Sequence, residues 1–339
     1  MSIMQQYFTG KTILITGGTG FLWYALTREI LKQNPHSIRI FSRDEVKHFK
    51  MQRDFNNPTI RHLIGDIRDK DRLLKAMDGV DYVIHAAALK RLDILEYNTE
   101  ESVKTNIIGT LNLVAAANES KVKKVVFIST DKSCSPINTY GGCKFVSERI
   151  ITESNYSNGA NGTIFLSVRY GNVVNSTGSI VPILQDRIKN NQDFYLTDDK
   201  MTRFLITEED AIKLIFDAFE FGIGWEVIVP KLDSCKITVL MEAMKRVNDY
   251  SCDIKNIGLR PGEKIHEYMI NEDEWSRVIF YKNRYIIQSL IQVYKDETDC
   301  PKYIQDGEKF VMWDYSSEHS LISLDEVIEK FEKYLKVNP

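Results

Sequence analysis

The chain is 339 residues long, which suits one large domain or two moderate ones. With 43% hydrophobic and 27% charged residues it reads as a soluble globular protein, and a formal net charge of −3 argues against a broad basic face for nucleic acid or anionic lipid. No apolar run approaches the roughly 20 residues that cross a bilayer, the N-terminus has no signal-peptide core, and five cysteines and six histidines are scattered, so a cytoplasmic protein with no membrane partner, no nucleic-acid partner and no metal site is expected.

The predicted elements alternate along the first half. Apolar, β-rich runs at 11–16, 38–42, 60–65, 81–88, 123–130 and 163–170 read as strands, with helical patterns at 21–33, 70–77, 99–120 and 140–155 between them. Strand and helix at this spacing imply an α/β protein with a Rossmann-like, doubly wound parallel sheet covered on both faces. From about residue 173 the alternation turns irregular, and loops carrying Gly178, Pro182, Pro230, Pro261 and Gly262 separate shorter helices. That predicts a smaller, mixed α/β substrate-binding lobe. The expected division is a dinucleotide-binding domain over 1–172, joined by a returning segment at about 203–230, and a lobe made of 173–202 and 231–339. Ligands of such sheets bind beyond the carboxyl ends of the strands.

The first strand runs into Gly17, Gly18, Thr19, Gly20 and Phe21, where a helix begins. Amides at such a turn meet a pyrophosphate, aided by the helix dipole; a plain glycine turn is the competing reading. The second strand ends at Ser42, Arg43 and Asp44. An acidic residue at the strand end suits the ribose 2′-hydroxyl of NAD and an arginine the 2′-phosphate of NADP, so Ser42 and Arg43 favour NADP. Asp66, beside Ile67, either reaches an adenine amine or only turns the chain into the next helix. Ala86 and Ala87 either let a flat cofactor lie close or simply end a core strand.

After the fifth strand, Tyr140 and Lys144 share one face of a helix, being four residues apart. A cationic lysine beside a phenol favours the phenolate, and the same lysine can hold a ribose hydroxyl. Tyr140 then acts as base toward a sugar hydroxyl while hydride leaves for a nicotinamide.

With these residues the chain resembles the extended short-chain dehydrogenase/reductase superfamily. Thr130-Asp131-Lys132, eight residues before Tyr140, narrows the resemblance to the inverting UDP-N-acetylglucosamine 4,6-dehydratases of the pseudaminic-acid and capsule type. Stretches 42–47, 65–73, 85–90, 104–110, 168–174, 201–204 and 260–264 are similar to the same family, so the likeness covers nearly the whole chain. It implies NADP as cofactor, a UDP-sugar as substrate and a homo-oligomer, dimer or hexamer. It implies further cofactor contacts from Lys47, Thr105 and Ser129, and from Lys90, which would touch cofactor or substrate as would Asn172. Thr130 would bond the sugar near carbon 4, and Arg260, Glu263 and Arg203 would hold the UDP moiety. Oxidation at carbon 4 acidifies the proton on carbon 5. Lys132 would take that proton, its pKa lowered by burial beside Lys144 and the nicotinamide. Asp131 would protonate the departing hydroxyl of carbon 6.

Two departures stand out. Trp23 occupies the place of the third glycine of the turn, and Arg91-Leu92-Asp93 replaces a more usual small, Pro-containing run. The competing functions are a UDP-sugar 4-epimerase or a retaining 4,6-dehydratase on the same scaffold, and a non-catalytic binder whose cofactor site has decayed at Trp23.

Overall fold

The computed structural model describes residues 6–157, 159, 162–176, 178–291 and 301–337. Residues 1–5, 158, 160 and 161 of the expected first domain, with 177, 292–300, 338 and 339 of the expected lobe, lie outside the described residues.

The first half folds as β1 (Thr12–Thr16), α1 (Phe21–Leu31), β2 (Ser37–Ser42), α2 (Glu45–Phe55), β3 (Ile60–Ile64), α3 (Lys70–Met77), β4 (Tyr82–His85), α4 (Leu92–Leu95), α5 (Thr99–Ser102), α6 (Gly109–Glu119), β5 (Lys124–Ile128), α7 (Thr139–Glu153) and β6 (Ile164–Val168). The second half adds β7 (Asn172–Val173), α8 (Ile180–Lys189), β8 (Phe194–Leu196), β9 (Thr202–Ile206), α9 (Glu208–Phe221), β10 (Val227–Pro230), β11 (Ser234–Lys236) and α10 (Ile237–Val247). It continues through β12 (Ile254–Asn256), β13 (Tyr268–Ile270), β14 (Val278–Tyr281), β15 (Arg284–Ile287), α11 (Lys302–Gln305), β16 (Glu308–Lys309), β17 (Tyr315–Ser316) and α12 (Leu324–Leu335). Among the described residues no helix is long and apolar enough to cross a membrane.

The large sheet has the order β16-β14-β15-β10-β6-β5-β4-β1-β2-β3. From β3 to β10 every neighbouring pair is parallel, and β15, β14 and β16 add an antiparallel edge. The α/β, Rossmann-like expectation is met, with the switch in strand order between β1 and β4. All five residues of β1 are buried, as strands covered on both faces require. Ile13 and Ile15 pack on one face with Leu26 of α1 and Phe216 of α9, while Leu14 packs on the other with Leu73 of α3 and Leu113 of α6. Strands β14, β15 and β16, which the sequence reading groups with the smaller lobe, lie in this sheet. A separate apolar cluster joins α8, α10 and α12 through Leu184, Leu240, Met244, Val327 and Phe331.

Three local differences bear on the site. Helix α2 has no counterpart among the predicted elements, because it buries only His48 and Met51 and shows no apolar stripe. The fourth predicted strand ends at His85, so Ala86, Ala87 and Ala88 leave the sheet as loop. The predicted helix 99–120 is interrupted by a π-helical stretch at Val103–Ile108. There the Asn106 carbonyl accepts from Thr110 Oγ1 and Ser147 Oγ, both at 2.6 Å, and such competing donors widen a helical turn.

Candidate active site

A cleft of about 1890 Å³ opens beyond the carboxyl ends of the parallel strands, bordered by the lobe around α8 and the 260–267 segment. Twelve basic and eight acidic residues line it, although the chain as a whole is net acidic, so the cleft is built for an anionic ligand. Every residue proposed from sequence lines this cleft except Gly18 and Asp131.

The glycine turn has a stated reason at each position. Gly17 has φ +69°, and a Cβ on it would lie 2.8 Å from the Ala87 backbone. Gly18 faces inward instead, where a Cβ would meet Ile15 O at 2.9 Å and Ile40 at 3.0 Å, so it contributes to packing and not to the wall. At Gly20 the space of a Cβ is bounded by the Trp23 indole, 3.0 Å away at Cδ1. Trp23 is 8% exposed and packs in the same core as Leu22, Ala25 and Leu26, while one edge reaches the cleft. Helix α1 therefore accommodates the indole beside the turn.

Around the rim, Ser42 Oγ lies 3.0 Å from Thr19 Oγ1, and Arg43 is half exposed with only a 3.5 Å contact to Asp66. Asp44 caps α2 by accepting from Lys47 N at 3.0 Å, and its other oxygen pairs with Lys47 Nζ at 2.8 Å. These bonds to Lys47 hold the Asp44 carboxyl below its ordinary range. Asp66, on the cleft wall, is bonded within its own turn. Its Oδ1 accepts from Arg68 N at 2.9 Å and its Oδ2 from Arg68 Nε and Nη2 at 2.9 and 2.7 Å. Deeper in the cleft, Thr105 Oγ1 is buried without a hydrogen-bond partner. An orphaned hydroxyl, a backbone cradle at Gly17 and a half-exposed Arg43 at the rim fit a dinucleotide.

The reactive loop follows β5. Thr130 donates to Asp131 Oδ1 at 2.8 Å, and Lys132 Nζ donates to the same oxygen at 2.9 Å and to Asn172 Oδ1 at 3.4 Å. Asp131 is 1% exposed and lies behind the wall, with Oδ2 unpartnered. Glu267 approaches Lys132 Nζ at 3.6 Å. Burial works against the Lys132 charge, but Asp131 and Glu267 outweigh it and raise the ammonium above its ordinary value. The sequence expectation of a lowered Lys132 pKa is corrected here, because its neighbours are carboxylates.

Lys144 carries the lowered pKa instead. Burial pushes it down to about 7, against the pull of Glu148. Its Nζ donates to the Ile128 carbonyl at 2.5 Å and lies 3.9 Å from the centre of the Phe127 ring. Burial pushes the Tyr140 phenol up to about 12, with Lys132 and a Thr130 hydrogen bond opposing. The expected lowering of that phenol by Lys144 is therefore not what the structure shows: burial outweighs the cations, and the cation facing the phenol is Lys132.

The loop is pinned from behind and from above. A Cβ on Gly141 would fall 2.3 Å from Lys132 O, so the Tyr-Gly step lets the loop lie against α7. Asn138 caps α7 by accepting from Gly141 N at 2.7 Å and donates to Gly262 O at 2.9 Å. Lys264 Nζ donates to Cys134 O at 2.6 Å. Arg169, fully buried at the end of β6, pairs with Glu148 at 2.5 Å and with Glu274 at 2.8 Å.

On the far wall Arg260 is exposed and meets Glu263 at 4.0 Å. Arg203 differs from its expected role. Its guanidinium donates to the carbonyls of Thr202, Ile265 and Lys264 at 2.7, 3.0 and 2.9 Å, so it holds the 264–265 backbone. Glu267, Lys264 and Asn138 are absent from the sequence-derived site. Their signals were a glutamate three residues beyond the Arg260–Lys264 stretch and an N-cap asparagine before Tyr140.

The chain matches the family described as polysaccharide biosynthesis protein over residues 13–289. It is 43% identical over 294 residues, 86% of this chain and 87% of the relative, to a Campylobacter jejuni subsp. jejuni protein named UDP-N-acetylglucosamine 4,6-dehydratase (inverting). It is 38% identical over 329 residues, 95% of each chain, to a Rickettsia bellii protein named UDP-glucose 4-epimerase. The X-ray structure of Pen from Bacillus thuringiensis superposes with a TM-score of 0.89 at 37% identity, over 97% of this chain and 99% of that one.

Proposed function

The chain belongs to the polysaccharide biosynthesis protein family, and we propose that within it the protein removes water from UDP-N-acetylglucosamine, giving a UDP-4-keto-6-deoxy-hexosamine inverted at carbon 5. The observation that carries this reading is the Asp131–Lys132 pair at the end of β5, joined at 2.9 Å beside Tyr140. Moving a hydride off and back at one carbon needs no such pair, whereas elimination needs both an acid and a base. The 4-epimerase reading is kept as a second one, because relatives of that name match 95% of the chain.

NADP is the proposed cofactor, on the support of Ser42 and the accessible Arg43. Gly17, Gly20, Thr105 and Lys144 would hold it, and it would supply a temporary store for the hydride. The residues of the chain do the proton work. Tyr140 takes the hydroxyl proton at carbon 4, and the cation facing it, Lys132, helps form the phenolate. Asp131 and Lys132 share one proton across their contact. Its transfer from Nζ to the carboxylate leaves net charge unchanged and gives the free amine and carboxylic acid that elimination requires. A sugar seated against Lys132 excludes water and favours that neutral form. The amine then takes the carbon 5 proton as the bond from carbon 6 to oxygen breaks. Asp131 lies one hydroxyl behind the wall, so its proton reaches the leaving oxygen through Thr130, which lines the cleft and bonds Oδ1. Water departs; the hydride held by the cofactor, when bound, would return to carbon 6, and a proton drawn from solvent to the opposite face of carbon 5 would invert that centre.

The lobe around α8 and the Arg260–Glu263 turn would take the UDP moiety, Arg260 through its planar match to phosphate. A homo-oligomer, dimer or hexamer, is part of the same reading on the strength of the family likeness alone, and light scattering measures it. The functional test is incubation with UDP-N-acetylglucosamine and NADP in deuterated water, followed by NMR. A 4-keto-6-deoxy product carrying deuterium in the L configuration at carbon 5 is expected. An isomer of unchanged mass would replace this reading with the epimerase.

A further inference from the structure

The contacts that hold Ser42 continue past it into the protein. Thr19 Oγ1 is 3.0 Å from Ser42 Oγ, Ser42 Oγ is 3.0 Å from His48 Nε2, and His48 Nδ1 is 3.1 Å from His62 Nδ1. The series begins in the glycine turn, passes the last residue of β2, enters the buried side of α2 and ends at the half-buried His62 of β3. His48 is 4% exposed. The reaction proposed above uses neither histidine.

The hydrogens can be assigned from acceptors that cannot donate. His48 Nε2 also faces the Ser42 carbonyl at 3.2 Å, so Nε2 carries the hydrogen. His48 Nδ1 is then bare and accepts from His62 Nδ1. Because Ser42 Oγ receives Nε2–H, its own hydroxyl hydrogen is turned toward Thr19 and the cleft.

We propose that the His48–His62 pair is a positioning element for the adenosine 2′-substituent, and that one proton taken up by the pair strengthens binding of a 2′-phosphate at Ser42 and Arg43 relative to a 2′-hydroxyl. This rests on the dinucleotide reading above. A proton arriving at the accessible His62 shifts along the Nδ1 contact to His48 and places the charge behind Ser42. A second proton would set two imidazolium rings in contact, so the pair carries a single charge and titrates as a unit. The groups facing the pair are few. Thr19 comes from the glycine turn, Ser42 from β2, Asp44 from the start of α2, and the two histidines face each other. Burial lowers both histidines; the Ser42 carbonyl and Asp44 oppose this at His48, while His48 adds to it at His62. Asp44 is already paired with Lys47. A bound phosphate dianion supplies the anion that the buried pair lacks.

Calorimetric titration of the full chain with NADP and with NAD, between about pH 8 and pH 6, is the test. In the wild type the preference for NADP over NAD should grow about tenfold more across that range than in His48→Gln, which keeps an N–H for Ser42 but cannot ionise; tenfold is ~1.4 kcal/mol. The 2′-phosphate itself ionises near pH 6, equally for every variant, so the difference between proteins is the readout. His62→Gln, altered at the accessible end, should reduce the growth in the same way and serves if His48→Gln does not fold. Equal growth in all three proteins would overturn the inference and leave the dinucleotide reading standing. Failure of the wild type to bind either dinucleotide would overturn that reading, and the inference with it.

Discussion

Lys132 stands between the carboxylates of Asp131 and Glu267, with its ammonium at the cleft wall and bonded to Asn172. Lys132→Ala should abolish release of water from the sugar nucleotide while NADP affinity stays within about twofold, since none of its partners belongs to the glycine turn; wild-type turnover in that variant would remove Lys132 as the base. Lys144 makes a different prediction, about pH. Its folded pKa is lowered to about 7 from the ordinary 10.5. Between those values the unfolded chain holds a proton that the folded chain has released, so stability rises with pH across that window. The rise is at most ~1.4 kcal/mol per pH unit. Lys144→Met lacks it. The variant should be the more stable protein in urea at about pH 6.5, and the gap should close toward pH 10; parallel profiles would contradict the assignment.

At the scale of elements, the start of α7 organises the site. Asn138 caps the helix and holds the Gly262 carbonyl, coupling the reactive loop to the 260–267 segment. Asn138→Ala should cost about 1 kcal/mol of stability as a lost N-cap. It should also raise the KM for the sugar nucleotide several-fold without changing cofactor affinity, as steady-state kinetics beside a binding titration would show. Arg169 plays the corresponding part beneath the loop, bridging Glu148 of α7 and Glu274. Arg169→Met leaves two buried carboxylates without their cation and should cost ~3–5 kcal/mol in a denaturant titration near neutral pH. Burial alone would raise the Glu274 carboxyl, yet Arg169 holds it below the ordinary range. That stabilisation is present above the unfolded carboxylate pKa and fades as pH falls, so the deficit of the variant should shrink in acid.

For the molecule as a whole, charge is distributed unevenly: a net acidic chain carries a cleft in which basic side chains outnumber acidic ones. Such a field attracts dianionic ligands and is screened by salt. Raising ionic strength from about 0.05 M to about 0.5 M should weaken NADP binding by on the order of tenfold, as the Debye length falls from roughly 14 to 4 Å. Unchanged affinity would mean that neutral contacts dominate. The chain runs from the 260–267 wall of the cleft through β13 into β14 at the edge of the large sheet, so the far wall and the sheet edge are built from one continuous stretch.

Features set by local pattern were readable in the chain. Six parallel strands were legible from β-rich apolar runs, the Gly17–Gly20 turn from its place between strand and helix, and the Tyr140–Lys144 pair from a spacing that α-helical geometry puts on one face. Helix α2 escaped because a helix that buries only two side chains leaves no stripe to read, and with it went the cap role of Asp44. Tertiary structure completed the electrostatics of Lys132, whose ammonium, against the pull of burial, is raised first by the adjacent Asp131 and then by Glu267. Its neighbour Glu267 lies 135 positions away in sequence, and charge proximity rather than residue type sets the direction of a buried pKa. The same holds for Arg203, whose donors are consumed by carbonyls some sixty residues distant. Trp23 shows both limits at once. Its departure from the glycine pattern was plain in the chain, but only packing could place the indole beside Gly20 with the turn left intact.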